Sequence, residues 1–303
     1  MFLGNACGIG FCVSFAFAFV LMSQLVKQDG PIISTLLTYG LSQLIILLIR
    51  RRHIRNILRS SLSNFRLFSW VNVLTCANTI LVYVILTHLT AFIYVIVFFG
   101  TLSASTYIVS LKTDGLVKSG LHELFIGAVA LSIGIASVWY GSNSTTSDQL
   151  ASFLGLLFTV IASLAGAAYL IVSERFQKAS GLAASDIVAA RFTFTVVICA
   201  IWLFASDKTF TITFDTLSIY LIIALLGSVI PLFLLQKSNA LAGPEGTSRF
   251  MPIIPVLCGA FSLVLVPGLL TWVDAMLGLA IFLAMGSRLL RRQKSDGQIQ
   301  TGT

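Results

Sequence analysis

The chain has 303 residues, of which 57% are hydrophobic and 10% charged, and its formal net charge is +8. Soluble domains carry about 25% charged residues, so these figures and a mean hydropathy of +0.97 exclude a soluble protein built round one large core. The positive charge does not form a nucleic-acid-binding face either, because the basic residues sit between apolar runs.

Crossing the hydrocarbon layer takes about 20 mostly apolar residues. The first such run, roughly 3–26, has no basic residue ahead of it and no clear cleavage site, so it reads as a retained helix rather than a signal peptide. Asp29-Gly30-Pro31 breaks the chain before a second run at roughly 32–49. The apolar stretch over 67–111 is about two spans long and is divided at Thr87 to Thr90, giving runs of roughly 67–87 and 90–111. Further runs cover roughly 122–141, 150–173, 186–205, 216–236, 247–266 and 270–290, with turn formers at Gly141-Ser142-Asn143-Ser144, Ala242-Gly243-Pro244 and Pro267-Gly268. The sequence therefore predicts an all-α integral membrane protein of ten transmembrane helices. Cys7, Cys12, Cys76, Cys199 and Cys258 all lie in apolar runs and read as inert small hydrophobes, with no disulfide and no metal site.

Lys and Arg set the orientation. With ten spans, 16 of the 19 basic residues fall on the side holding both termini and the even-numbered connections; only Lys27 and Lys208 fall opposite, and Arg191 lies within a span. The positive-inside rule makes the basic side cytoplasmic. Residues 1–141 and 150–290 each hold five spans, followed by a cytoplasmic tail at 291–303. An odd number of spans per half makes the second half inverted relative to the first. Ser23 to Lys27 parallels Ser173 to Lys178 at the ends of spans one and six. Inverted repeats are a common transporter construction, with the substrate site at the repeat interface.

Several motifs resemble the drug/metabolite transporter superfamily, in its ten-helix EamA type. Ala189-Ala190-Arg191-Phe192-Thr193 is similar to the Arg-Phe stretch in the second helix of a family repeat. Ala240-Leu241-Ala242-Gly243-Pro244, with Pro252 and Pro255 after it, is similar to the turn between a repeat's third and fourth helices. Gly127 and Gly134, then Gly278 and Gly286, resemble the Gly-rich last helix. The first half departs from the pattern, with Thr38-Tyr39 where an Arg is expected and Gly100 opposite Pro255. The resemblance implies a secondary transporter that moves a small polar metabolite, amino acid or nucleotide-like, by alternating access. Its cavity would lie between the third and fourth spans and their counterparts, the eighth and ninth, with a contribution from the seventh. A lipid or lipid-linked flippase and a non-transporting scaffold are the alternatives. The expected partners are a small-molecule substrate and the bilayer of a bacterial inner (plasma) membrane, with no nucleic acid, a homodimer left open, and no cofactor or catalytic residue.

Arg191 is the sharpest candidate. A guanidinium inside a span costs about 2.5–3.5 kcal/mol on insertion scales and usually faces an interior or a water-filled cavity. It reads either as an anchor for an anionic group or as a structural arginine snorkelling to the interface. At about 100° per residue, Asn72, Thr75, Cys76, Thr79 and Tyr83 form a polar stripe that faces a cavity or another helix. Tyr94 and Gln43 are further cavity candidates. Trp70 and Tyr107 are candidates too, with interface anchoring as the other reading. Glu245 and Arg249, four residues apart, are gate candidates on the cytoplasmic side, with an ordinary surface pair as the alternative reading. Pro252 and Pro255 predict a bend in the ninth span. Gly4-xxx-Gly8 and Ala162-xxx-Gly166 read as close-packing pairs. No carboxylate lies near the centre of any span, and no Gly-x-x-x-x-Gly-Lys-Ser/Thr motif for ATP hydrolysis occurs.

Overall fold

The computed structural model describes residues 2–114, 120–141, 146–206, 213–248, 250–251 and 253–266. The run at 270–290, the tail at 291–303, Arg249, Pro252 and the side chain of Glu245 lie outside the described residues. Among those described, all regular structure is helical. Hydrocarbon offers the backbone no water, so a lipid-exposed span closes its hydrogen bonds within its own helix.

The elements in order are α1 (Phe2–Asp29), α2 (Pro31–Ile49), a 3-10 turn (Arg51–His53), α3 (Ile54–Ser63), α4 (Phe65–Leu86), α5 (Ala91–Asp114) and α6 (Gly120–Gly141). They continue with α7 (Thr146–Ser180), α8 (Ala184–Ala190), α9 (Thr193–Ala205), α10 (Phe214–Ile223), a π segment (Ala224–Val229), α11 (Ile230–Ser248) and α12 (Ile253–Leu265). Seven helical spans are long and apolar enough to cross a membrane, with α8–α9 and α10–α11 each forming one; part of α6 (Glu123–Trp139) and α12 are shorter apolar helices.

The ends follow local chemistry. Gly30, at φ 83, turns the chain so that Pro31 can open α2, where its fixed φ suits the helix and its missing N–H is not needed. Thr90 caps α5 by accepting the Ile93 N–H at 3.3 Å, which makes the short turn after Leu86 a built one.

Two features differ from the sequence expectation. The basic connection after α2 contains α3, in which Ile57 and Ser61 are buried while Arg55, Leu58, Arg59 and Leu62 are exposed. Its apolar residues recur at helical spacing between arginines, so mean hydropathy conceals them. The run at 186–205 is broken at Arg191–Phe192. The predicted turn at Ala242-Gly243-Pro244 is present: Gly243 takes φ 72 and ψ 172, a non-helical kink that divides Ile230–Ser248 into two helical pieces. Pro255 falls in the first turn of α12, where the absent N–H would have no intrahelical partner.

The two halves of the sequence interleave. Helix α1 packs on α11 and α12, while α4 and α5 pack on α7. Helix α5 is central, with 78% of its most apolar stretch buried, and α2 is peripheral, at 28%. Buried Ser and Thr hydroxyls inside the spans mostly bond back to the preceding turn, as Ser42 does to the Thr38 carbonyl at 2.6 Å and Thr159 to that of Gly155 at 2.7 Å. Small residues allow close approach: a Cβ on Gly8 would lie 2.7 Å from the Phe250 ring. A Cβ on Gly127 would lie 2.8 Å from that of Ala104, between α6 and α5. We therefore expect Gly127→Val to destabilise the protein by about 1–3 kcal/mol, read as a lower thermal midpoint in detergent. An unchanged midpoint would remove the close-packing argument.

Candidate functional site

The site begins with backbone groups that a helix break leaves open. Where α8 stops, the carbonyls of Ala189 and Ala190 lose their intrahelical partners, and the first N–H groups of α9 have none. Side chains from two other helices take them up. Gln43 of α2 donates to the Ala189 carbonyl at 2.7 Å. Asn72 of α4 donates to the Ala190 carbonyl at 2.9 Å and accepts the Phe194 N–H at 3.3 Å, so one amide bridges both sides of the break. No Gly or Pro lies between Ala184 and Ala205. The break is made by side chains entering the backbone ladder, a cause of kinks that turn-forming residues do not signal.

The break aims Arg191 inward. It is 5% exposed, and its guanidinium carbon stands 4.1 Å over the Tyr169 ring and 5.1 Å from the centre of the Phe192 ring. Phe192 in turn stacks on Tyr39 at 4.8 Å. The result is a column of Tyr39, Phe192, Arg191 and Tyr169 drawn from α2, the break and α7. The Tyr169 hydroxyl donates to Gln236 Oε1 of α11 at 3.3 Å, which holds that ring in place. Arg191 Nε and Nη1 are buried and have no hydrogen-bond partner among the described residues. Leaving such donors unmatched is costly, more so for a charged group.

Beside this column lies a cavity of about 110 Å³. Its wall includes Phe19, Tyr94 and Phe98, stacked in series at 5.3 and 5.2 Å. Neutral polar side chains on the lining are Thr38, Asn78 and Thr79, and Met251 also contributes. Gly227 of the π segment lines it too, where a Cβ would come within 2.8 Å of that of Ala18. The lining is mainly apolar and aromatic, with Arg191 as its charged member among the described residues.

Of the residues singled out from sequence, Arg191, Thr79 and Tyr94 meet at this cavity. Gln43 and Asn72 brace the break behind it. Thr75 and Tyr83 are buried next to it, Tyr83 with its ring edge-on to Tyr39 at 6.0 Å. The polar stripe of α4 thus faces mainly protein, and the cavity lies at its flank, where Asn78, Thr79 and Val82 project. Tyr39, Asn78 and Tyr169 were missed, since isolated polar groups on apolar runs give no pattern.

Two polar ties at opposite ends of α2 were also missed. At the C-terminal end, Arg50 meets Asp186 in the first turn of α8, Nη2 to Oδ1 at 2.6 Å and Nε to the same oxygen at 2.7 Å. Each charge also suits the helix end it occupies. At the N-terminal end, the Tyr220 hydroxyl of α10 donates to Asp29 Oδ2 at 2.7 Å and lies 2.8 Å from Ser34 Oγ. Both ties join α1 or α2 to the second half of the chain.

No family model matches the chain, and no curated protein matches it significantly. Solved structures do match. One, described only as the crystal structure of a protein, aligns over 95% of this chain and 99% of its own with a TM-score of 0.68 at 12% identity. That likeness is one of fold. The chain is a helical membrane protein of the multi-pass kind, with a charged, aromatic-lined cavity inside its bundle.

Removing Asn72 would orphan the buried Ala190 carbonyl and the part-buried Phe194 N–H together. We expect Asn72→Leu to destabilise the protein by about 2–4 kcal/mol, seen as a lower melting midpoint. Thr75→Val, at a neighbouring buried hydroxyl, should shift it far less; equal shifts would show that the bridge has no special role.

Proposed function

We propose that this chain is a membrane carrier that moves a small organic molecule with an anionic group by alternating access. The observation that carries the reading is Arg191, buried with two nitrogens unmatched among the described residues, beside a cavity lined from both halves of the sequence. A guanidinium held this way is suited to a carboxylate or similar oxyanion through paired hydrogen bonds. A scaffold has no use for an unpaired internal charge, whereas a binding site does.

The reading takes the chain as ten spans in two inverted five-helix repeats, 1–141 and 150–290, of the drug/metabolite transporter EamA type, with both termini cytoplasmic in a bacterial inner membrane. Support comes from the seven long apolar helices, the one-sided distribution of Lys and Arg, and the interleaved packing of the halves. Cavity size favours a small molecule over a lipid: an apolar cavity of about 150 Å³ takes one benzene, and this one is about 110 Å³. The ties at Arg50–Asp186 and Asp29–Tyr220–Ser34 fit the two closures that alternating access needs, one on each side of the site.

A thermal-shift screen of purified protein against amino acids, nucleosides, sugar phosphates, organic acids and cofactors identifies the ligand. Uptake of that ligand into vesicles should fall by about tenfold or more in Arg191→Ala while membrane insertion is unaffected. Undiminished uptake by correctly folded variant would sink the anchoring role. The ties make a separate prediction, readable with Thr79→Cys in a background lacking the five native cysteines. Asp186→Asn should raise its labelling by an impermeant thiol reagent from the side of Arg50, and Tyr220→Phe from the opposite side. Changes on the same side for both variants would rule out the ties as opposing closures.

A further inference from the structure

Resting on the carrier reading, we infer that the ligand is a compact organic monoanion with a flat, apolar or aromatic body and no ammonium group.

Three observations set these limits. The first is charge. Arg191 is the charged side chain on the lining among the described residues, and no carboxylate stands there to receive a cation. A carboxylate brought to Arg191 neutralises a buried charge. An ammonium group on the same molecule would leave water next to that guanidinium and find, among the described residues, only neutral acceptors such as Asn78 Oδ1, which has no partner among them. Burying a charge without a counter-charge is costly. The aromatic faces do not remedy this, because a cation on them would be repelled by the guanidinium already seated over Tyr169 and Phe192.

The second is shape. The rings of Phe19, Tyr94 and Phe98 stack in series along one wall, and Phe192 stacks on Tyr39 in another. Aromatic surfaces of this kind favour offset-stacked or edge-on contact with a planar partner. The third is volume. The space, about 110 Å³ and partly open, is below the about 150 Å³ that takes one benzene, so a one-ring body fills it and reaches its mouth, which disfavours a nucleotide. Asn78 Oδ1 offers one neutral acceptor, so a hydroxyl on the body is compatible.

The test uses full-length protein in nanodiscs and isothermal titration with four probes: 3-phenylpropanoate, its neutral amide, L-phenylalanine and adenosine monophosphate. L-phenylalanine differs from the first only by its ammonium group. We expect 3-phenylpropanoate to bind about tenfold or more tighter than each of the others. Arg191→Gln should remove that preference, bringing the acid's affinity to that of the amide measured on the same variant. The comparison among probes on unmodified protein stands even if the variant fails to fold. Binding of L-phenylalanine or the amide as tight as the acid would overturn the inference, and so would no binding of the acid to folded protein. Uptake into vesicles separates the two readings. Acid that binds but is never moved would sink the carrier alone. Arg191-dependent uptake of L-phenylalanine or of the nucleotide would keep the carrier and overturn this ligand class.

Discussion

The arrangement depends on one constraint: a broken span must satisfy its backbone inside a medium that offers no water. Ala189, Ala190 and Phe194 present open peptide groups at the break, and amides from α2 and α4 meet them. An open carbonyl or N–H in hydrocarbon costs several kcal/mol, so the break requires both neighbouring helices to stand where they do. In return it holds Arg191 and Phe192 off the regular helical path, where their side chains can form the column with Tyr39 and Tyr169. The position of the charge is thus a by-product of hydrogen-bond accounting several residues away.

Helix α2 combines two properties that pull in different directions. It is the least buried of the long spans, yet polar side chains at both its ends and in its middle grip the second half of the chain. A helix held mainly by apolar burial slides or rocks with a graded penalty. One held by a few directional contacts has discrete positions, because each contact is either made or lost. Its middle contact, Gln43 to Ala189, connects the ends to the break beside Arg191.

Much of the architecture is legible in the sequence, and the failures have physical causes. Hydropathy places the long spans because length and apolarity are what a bilayer demands, and Thr87 to Thr90 is a real turn because Thr90 can cap. Hydropathy is blind to α3, whose arginines cancel its leucines and isoleucines. It is equally blind to the break at Arg191, which is made by Asn72 and Gln43 from far away in sequence rather than by local Gly or Pro. Arg191 itself stands out because a lone charge in an apolar run needs a reason. The rest of the site is aromatic, and in a chain with 23 Phe no single ring can be told from core packing without coordinates.

The π segment at Ala224–Val229 puts the span from α10 to α11 out of phase with itself. A widened turn carries about one residue more than an α-helical one, so the face downstream of it is rotated by roughly 100° against what a regular helix would present. Tyr220, before the segment, belongs to the tie at the end of α2, whereas Leu232 and Leu235, after it, line the cavity. The two functions sit on one continuous rod but answer to different angular settings. Were the turn to relax to a regular helix, tie and wall would rotate against each other with no change in sequence. The pitch of this one turn therefore sets the angle between the tie and the cavity wall.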